Sequence, residues 1–557
     1  MKRLSILILF LFSYSLYALP HFNDNRAPEE LAHALVEAMT PEERLGQTLM
    51  FSWKGVDPSS DIHKWIRDYN LGGIKIFGWN GYDIKTLSAT IGEYQEAALN
   101  NRFGIPLLSA TDQEGGIVRH ITDHTALTPG NMSIGASGLP LDAYNSGYLI
   151  GKELAAIGIN MNFAPNVDLY LKPHTAVIGT RAFSVDAEET AFYSTVWYRG
   201  HADAGIVSTV KHYPGHGRSD EDSHGVLPII DVSLDDLKKD DLLPYRMLIN
   251  EGIPAVMASH LAYSRITGDT LPASRSSFFL EELLRDEMGF KGMVISDDMI
   301  MYGAIMGSTT IEQACEESMR TGVDMLLISQ SPDTHRRVWN RLHDSMEEDE
   351  AMAERIKEAA YRVVLTKLLW LKGDKAVPYI PDSESVYDNM TVPAMEEHNL
   401  DLAARSITVF KDRDGKIPLD IEGDGKILLV TQDRLVREAV RERIPGINIF
   451  DLPSNPEPGE LSGRLNSLVR IIDRYDKVIF SFRNGYDQYI AEDLEPWNDK
   501  IIFFITSNPS YSESIEWADT VVFSYIYTRE SVDASVGVIL GDYEAGGELP
   551  AELKGRG

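Results

Sequence analysis

The sequence predicts a (β/α)₈ barrel followed by a second α/β sandwich domain, on three observations. Eight short apolar runs alternate with helix-like stretches over the first two thirds of the chain. Several of these runs end in a polar residue, as strands do when their carboxyl ends line a site. After a proline-bearing stretch, four more apolar runs repeat the rhythm.

In order, the runs are GQTLMFSW (46–53), GGIKIF (72–77), PLLSATDQE (106–114), MNFAPNVDL (161–169), GIVSTVKHY (205–213), AVMASHLAY (255–263), GMVISDDM (292–299) and MLLIS (325–329). Each is short, and apolar enough for a strand buried on both faces. Before the first, Thr40-Pro-Glu-Glu has the pattern of a capped helix start. The helical stretch 351–371 closes this region, and 372–395, with three prolines and scattered acids, reads as a linker. KILLV (426–430), KVIFSF (477–482), IIFFITSNP (501–509) and TVVFSYI (520–526) then supply a second parallel sheet. DRDGK (412–416) is a turn, and no catalytic cluster is evident in this half. The expected division is a signal segment over 1–18, a barrel over 19–375, a linker over 376–398 and a second domain over 399–557.

Residues 1–18 place Lys2 and Arg3 ahead of the apolar run LSILILFLFSYSLYA, with Ala18 at the expected cleavage point. The expected location is therefore outside the cytoplasm, periplasmic or secreted, with no membrane span once the signal is removed. Lys plus Arg number 52 against 84 Asp plus Glu, a net charge of −32. That balance argues against nucleic acid and anionic lipid as partners, and says little about a small neutral ligand. The single cysteine, Cys315, excludes an internal disulfide and a zinc–thiolate cluster, and reads as a small core residue.

The chemistry concentrates in KHYPGHGRSDEDSH (211–224). Lys211 and His212 stand where the strand ends. Asp222 and His224, one residue apart, allow the carboxylate to bond one imidazole nitrogen, fix its tautomer and favour the protonated ring. The alternative is a salt-linked surface loop. A metal held by His212, His216, Asp222 and His224 is disfavoured, because the loop offers no rigid ligand pair and Lys211 would oppose the ion. DQEGG (112–116) turns tightly on its glycines and aims Asp112 at the mouth, while VIGTRAFS (177–184) carries Arg181. In SDD (296–298) adjacent residues point to opposite faces, so only one of Asp297 and Asp298 readily meets a substrate, and Asp297 is the candidate nucleophile.

These motifs together, KHYPGHG…DSH with DQEGG, NFAPNVD, VIGTRAFS and SDDM in this order, resemble glycoside hydrolase family 3. The resemblance is narrower to its bacterial β-N-acetylglucosaminidase (β-N-acetylhexosaminidase) branch. It covers about Thr40–Leu371 closely, and the trailing domain resembles the second domain of longer members. It implies an exo-acting retaining hydrolase that frees β-linked terminal N-acetylglucosamine through a covalent glycosyl-aspartate. Cell-wall fragments (muropeptides) or chitin-derived oligosaccharides are the implied substrates, with no cofactor. In that pattern Asp297 is the nucleophile, His224 with Asp222 the acid/base, and Asp112, Arg181, Lys211 and His212 hold the terminal sugar. Phosphorolysis, β-glucosidase action and an inactive sugar-binding role are the alternatives. His174, in a loop where the family is usually asparagine-rich, is a departure on the leaving-group side.

Overall fold

A computed structural model describes residues 19–172, 177–306, 310–329, 331–423 and 425–553. The signal segment 1–18 and His174 lie outside the described residues. Among those described, no helix is long and apolar enough to cross a membrane.

All eight apolar runs of the first region contain strands: β1 (Leu49–Ser52), β2 (Gly73–Lys75), β3 (Leu108–Thr111), β4 (Met161–Asn162), β5 (Val207–Tyr213), β6 (Ala255–Ala258), β7 (Met293–Ser296) and β8 (Leu326–Ile328). They pair in parallel in chain order, and β8 pairs with β1. A bridge from Ile295 to Met325 joins β7 to the start of β8 and closes the barrel. Alternate residues point inward, so Met50, Leu108, Met161, Val207, Met257, Met293, Ile295 and Leu327 share one core. Its lower end is plugged by helices Pro28–Ala38 and Glu350–Trp370, which contribute Leu31, Leu35, Val363 and Leu368. The other strand residues, such as Phe51 and Val294, pack outward in the helix-lined core. Each such buried side chain is worth roughly 1.5–3 kcal/mol.

The expected cap at Thr40 is present. Glu43 N–H donates to Thr40 Oγ1 at 3.2 Å, and Thr40 N–H donates back to the Glu43 carboxylate at 2.8 Å. Cys315 is fully buried, as a core residue should be.

The second sheet has six strands: β9 (Thr408–Asp412), β10 (Ile427–Thr431), β11 (Asn448–Asp451), β12 (Lys477–Phe482), β13 (Ile501–Ile505) and β14 (Thr520–Phe523). Their order is β9-β14-β13-β12-β10-β11, with only β9 antiparallel. The four expected runs are its central strands. The two edge strands were not expected: TVFKD and NIFD are partly exposed and each carries only two apolar residues between polar ones, not a continuous apolar run.

The linker is ordered along the barrel, with Val377, Val386 and Met390 buried. Its last part belongs to helix Val392–Ser406, whose Pro393 sits in the first turn, where a missing N–H costs nothing. That helix carries Arg405, which grips the buried Asp142 carboxylate with two hydrogen bonds of 3.1 and 2.6 Å. His398 Nε2 meets Ser146 Oγ at 2.8 Å. An apolar seam of Met132, Ala136, Tyr170 and Ile178 from the barrel with Tyr525 and Leu549 from the second domain completes the joint.

Candidate active site

At the carboxyl ends of β2, β3 and β5 the inward positions turn from apolar to charged. Lys75 follows the inward parity of Gly73, Asp112 that of Leu108 and Ala110, and Lys211 that of Val207 and Thr209. Asp112 therefore lies between two lysines: Lys211 Nζ donates to its Oδ1 at 2.5 Å, and Lys75 Nζ donates to Oδ2. Lys211 also pairs with Glu114 at 2.6 Å, and Arg181 binds Glu114 with two bonds of 2.9 and 2.7 Å. The chain Lys75–Asp112–Lys211–Glu114–Arg181 is thus one buried network of alternating charge. Burial opposes ionisation of its acids. Lys211 and Lys75 nevertheless hold Asp112 well below the ordinary carboxylate range, and Arg181 and Lys211 hold Glu114 at about 2.

His212 shares the site with Lys211, its neighbour, because the β5–β6 register shifts between Val210 and Tyr213. Its Nδ1 meets Asp168 Oδ2 at 2.6 Å, leaving Nε2 toward Arg181 at 3.4 Å. Asp168 Oδ1 accepts the His216 N–H at 2.6 Å, which shapes the loop after β5. Burial opposes the charge on Asp168, but His212 and His216 keep its pKa at about 2.

The two aspartates that follow β7 have different surroundings. Asp297 continues the inward parity of Met293 and Ile295, whereas Asp298 falls on the other face. Burial works against ionisation of Asp297, yet the fields of His212, His260 and Lys211 and the N–H of Asp298, which donates at 2.8 Å, lower its pKa. Asp298 instead accepts the N–H groups of Ile300 at 3.3 Å and Ser329 at 3.2 Å. Burial lifts it to about 6, despite those bonds. In a closed eight-stranded barrel β3 and β7 are four strands apart, so Asp297 stands across the mouth from Asp112.

Asp222 and His224 do form the expected pair. Asp222 Oδ1 meets His224 Nδ1 at 2.7 Å and accepts the His224 N–H at 3.0 Å. The pair is on an open loop, with side chains 54% and 75% exposed respectively. Its hydrogen bonds stay within the loop and none reaches Asp297. The loop base is tied beside β7, where the Gly303 N–H donates to Ser223 O at 3.0 Å. Among the described residues, no group of three or more His, Cys, Asp or Glu is placed to hold a metal ion.

Lys75, Glu114, Asp168 and His260 are not among the candidate residues evident in the sequence, although all four lie within the strand runs. The signal for Lys75 was present: a lysine between two isoleucines in GGIKIF must be buried on one face, and a buried lysine needs a carboxylate.

Residues 40–366 match the model of the glycosyl hydrolase family 3 N terminal domain, which is more than half of the chain. The chain belongs to glycosyl hydrolase family 3. It is 35% identical over 275 residues to a beta-hexosaminidase of Neisseria gonorrhoeae, covering 48% of this chain and 74% of that one. It is 30% identical over 421 residues to beta-hexosaminidase A of Pseudoalteromonas piscicida, covering 68% and 69%. Among solved structures, a glycoside hydrolase family 3 beta-N-acetylglucosaminidase from Paenibacillus sp. str. FPU-7 superimposes with a TM-score of 0.81 at 27% identity, over 92% of this chain and 99% of that one. This glycoside hydrolase thus keeps its charged network, both aspartates of β7 and the His224 loop inside the family's matched domain.

Proposed function

We propose that this family 3 hydrolase is an exo-acting β-N-acetylglucosaminidase that works with retention of configuration through a glycosyl ester on Asp297. The observation that carries the reading is an ionised, inward-facing Asp297 across the barrel mouth from the Asp112–Lys211–Glu114–Arg181 network. The names borne by the relatives support the choice of sugar.

The terminal sugar binds with its hydroxyls on Asp112, Lys211, His212 and Arg181. Fixed charges suit this task, because they need no reorganisation when substrate arrives. An Asp297 oxygen attacks C1 as the C1–oxygen bond to the leaving group breaks, and His224 gives that oxygen its proton. His224 then takes a proton from water, which attacks C1 and releases Asp297. Two inversions restore the β configuration. The exposed dyad performs this only once its loop lies over the bound sugar, and acid/base contacts that tighten on binding are common. Asp222 orients the ring through its contact with Nδ1.

The test is incubation with aryl N-acetylglucosaminide and aryl glucoside, with and without phosphate, followed by NMR of the first anomer formed. Fast release of β-N-acetylglucosamine, indifferent to phosphate, is expected. A sugar phosphate, or preference for the glucoside, contradicts the reading. We also propose export to the periplasm or beyond, supported by Lys2, Arg3 and the apolar run after them. Fractionation of cells should find the processed chain outside the cytoplasm.

A further inference from the structure

Lys75 is a cation that the charge balance of the network does not require. The carboxylates of Asp112 and Glu114 are already matched by Lys211, which touches both, and by Arg181 on Glu114. Lys75 adds a third positive charge on a side chain that is 1% exposed. Burial pulls its pKa down, and Asp112 is the main influence opposing this. A buried ammonium is costly, and an apolar residue of similar volume in such a place is often neutral or stabilising. Stability therefore gives no reason for a lysine here.

Nor does Lys75 reach a substrate from that depth. Its Nζ lies 4.8 Å from the centre of the Phe77 ring and 4.7 Å from that of Phe163. Its hydrogen bond goes to Asp112 Oδ2. Whatever it does for a sugar, it does through Asp112.

Asp112 is the member of the trio that meets the mouth, with a side chain 18% exposed against 2% for Lys211. It follows β3, and the two lysines come from either side of that strand, Lys75 from β2 and Lys211 from β5. Lys211 holds Oδ1 and Lys75 holds Oδ2. An ionised carboxylate has about four lone-pair sites, two on each oxygen, so each oxygen keeps one open. His120 does not fill the site on Oδ2, because its Nδ1 is 3.8 Å away and meets Ile76 O at 3.4 Å instead. Among the described residues, no other group donates to this carboxylate. Held at one oxygen, a carboxylate can swing about its Cβ–Cγ bond. Held at both, it presents its two open sites in a fixed plane, ready for two hydroxyls at once.

We propose that Lys75 is a positioning residue, which fixes the plane of the Asp112 carboxylate so that each of its oxygens grips one hydroxyl of the terminal sugar. The proposal rests on the barrel binding the terminal sugar of an N-acetylglucosaminide, and deepens that reading by assigning two hydroxyls to one carboxylate.

The experiment uses the full chain and Lys75→Met, which keeps an unbranched side chain between Phe77 and Phe163 and leaves Asp112 paired with Lys211. The substrates are an aryl N-acetylglucosaminide and its deoxy analogues lacking the hydroxyl at C3, C4 or C6. Asp112→Asn marks the two hydroxyls held, as those whose removal shrinks its own loss. Lys75→Met should lower kcat/KM on the parent by roughly 10–100-fold. That loss should shrink at least about threefold on the two marked analogues and stay whole on the third. Added to Asp112→Asn, Lys75→Met should cost less than about twofold more, because the carboxylate it positions is gone. Lys75→Gln keeps a donor and should recover part of the loss, and it carries the same comparison if methionine impairs folding. Calorimetry with free N-acetylglucosamine should show the same weakening without turnover. Equal losses on all four substrates, additivity with Asp112→Asn, or undiminished affinity for the free sugar overturns the proposal, since a merely structural lysine would give those results. A wild-type chain that binds N-acetylglucosamine but leaves the aryl substrate uncut overturns the function proposed above instead, and calorimetry still judges Lys75. Failure of the wild type to bind the free sugar overturns both.

Discussion

Asp297 and Asp298 are neighbours in sequence with opposite environments, and the difference is one step of strand parity. Asp297 is held ionised inside the mouth, while Asp298 is lifted to about 6 by burial as it caps the backbone of Ile300 and Ser329. Asp297→Ala should remove nearly all turnover on every substrate, however good its leaving group, because no ester can form. Asp298→Ala should act mainly on stability, read as a fall in Tm with kcat much less affected. His224 separates the two half-reactions. His224→Ala should lose roughly 10²–10⁴-fold on natural disaccharides, yet release a burst of phenol from an activated aryl substrate. Azide, which needs no deprotonation, should then speed turnover and give a β-glycosyl azide. Equal small losses on both substrates, with azide inert, would show that the loop only positions the sugar.

At the scale of elements, the charged network ties β2, β3, β5 and the Arg181 loop to one another. Glu114 lies at about 2 in the folded state against an ordinary 4.5. A depressed acid contributes stability that is complete above the unfolded value and is lost as pH falls through the folded one. Glu114 therefore adds to acid unfolding between about pH 4.5 and 2. Glu114→Gln should flatten that part of the stability–pH curve. At neutral pH it should cost about 3–5 kcal/mol, because Arg181 and Lys211 lose a buried partner. Denaturant unfolding at several pH values measures both. These elements were largely legible. Continuous apolar runs located all eight barrel strands and four strands of the second sheet, since burial on both faces leaves no polar alternation. β9 and β11 escaped because edges are half-solvated, and Val392–Ser406 because Pro393 reads as a breaker except in a first turn. Asp112, Arg181, Lys211 and His212 stand out in the sequence by their place after strands. Glu114 was missed because its pairing with Arg181 and Lys211 is a property of three dimensions, and Lys75 was missed despite its place between two isoleucines in GGIKIF.

At the scale of the whole molecule, the second domain is joined to the barrel by the ion pair of Arg405 with the buried Asp142 and by an apolar seam, and it brings Glu492, Glu513 and Glu516 into a cavity of about 1140 Å³ that Gly179 and Thr180 of the barrel also line. No cluster is evident there in the sequence, because only the fold brings Glu492 to the same cavity as the Glu513–Glu516 stretch. The site proposed here takes its acid/base from the barrel loop. Changing any carboxylate of residues 399–557 singly to its amide should therefore leave kcat on an aryl substrate within about tenfold, or ~1.4 kcal/mol of barrier. A single folded variant of this kind without turnover would move the proton donor to the second domain.

The central claim is a covalent sugar on Asp297, and mass spectrometry reads it directly. His224→Ala protein, quenched during the burst with an activated aryl N-acetylglucosaminide and digested, should carry one N-acetylhexosaminyl group on the peptide containing Asp297, and Asp297→Ala should carry none. A burst-phase protein without adduct, or with the sugar on another carboxylate, would contradict the account.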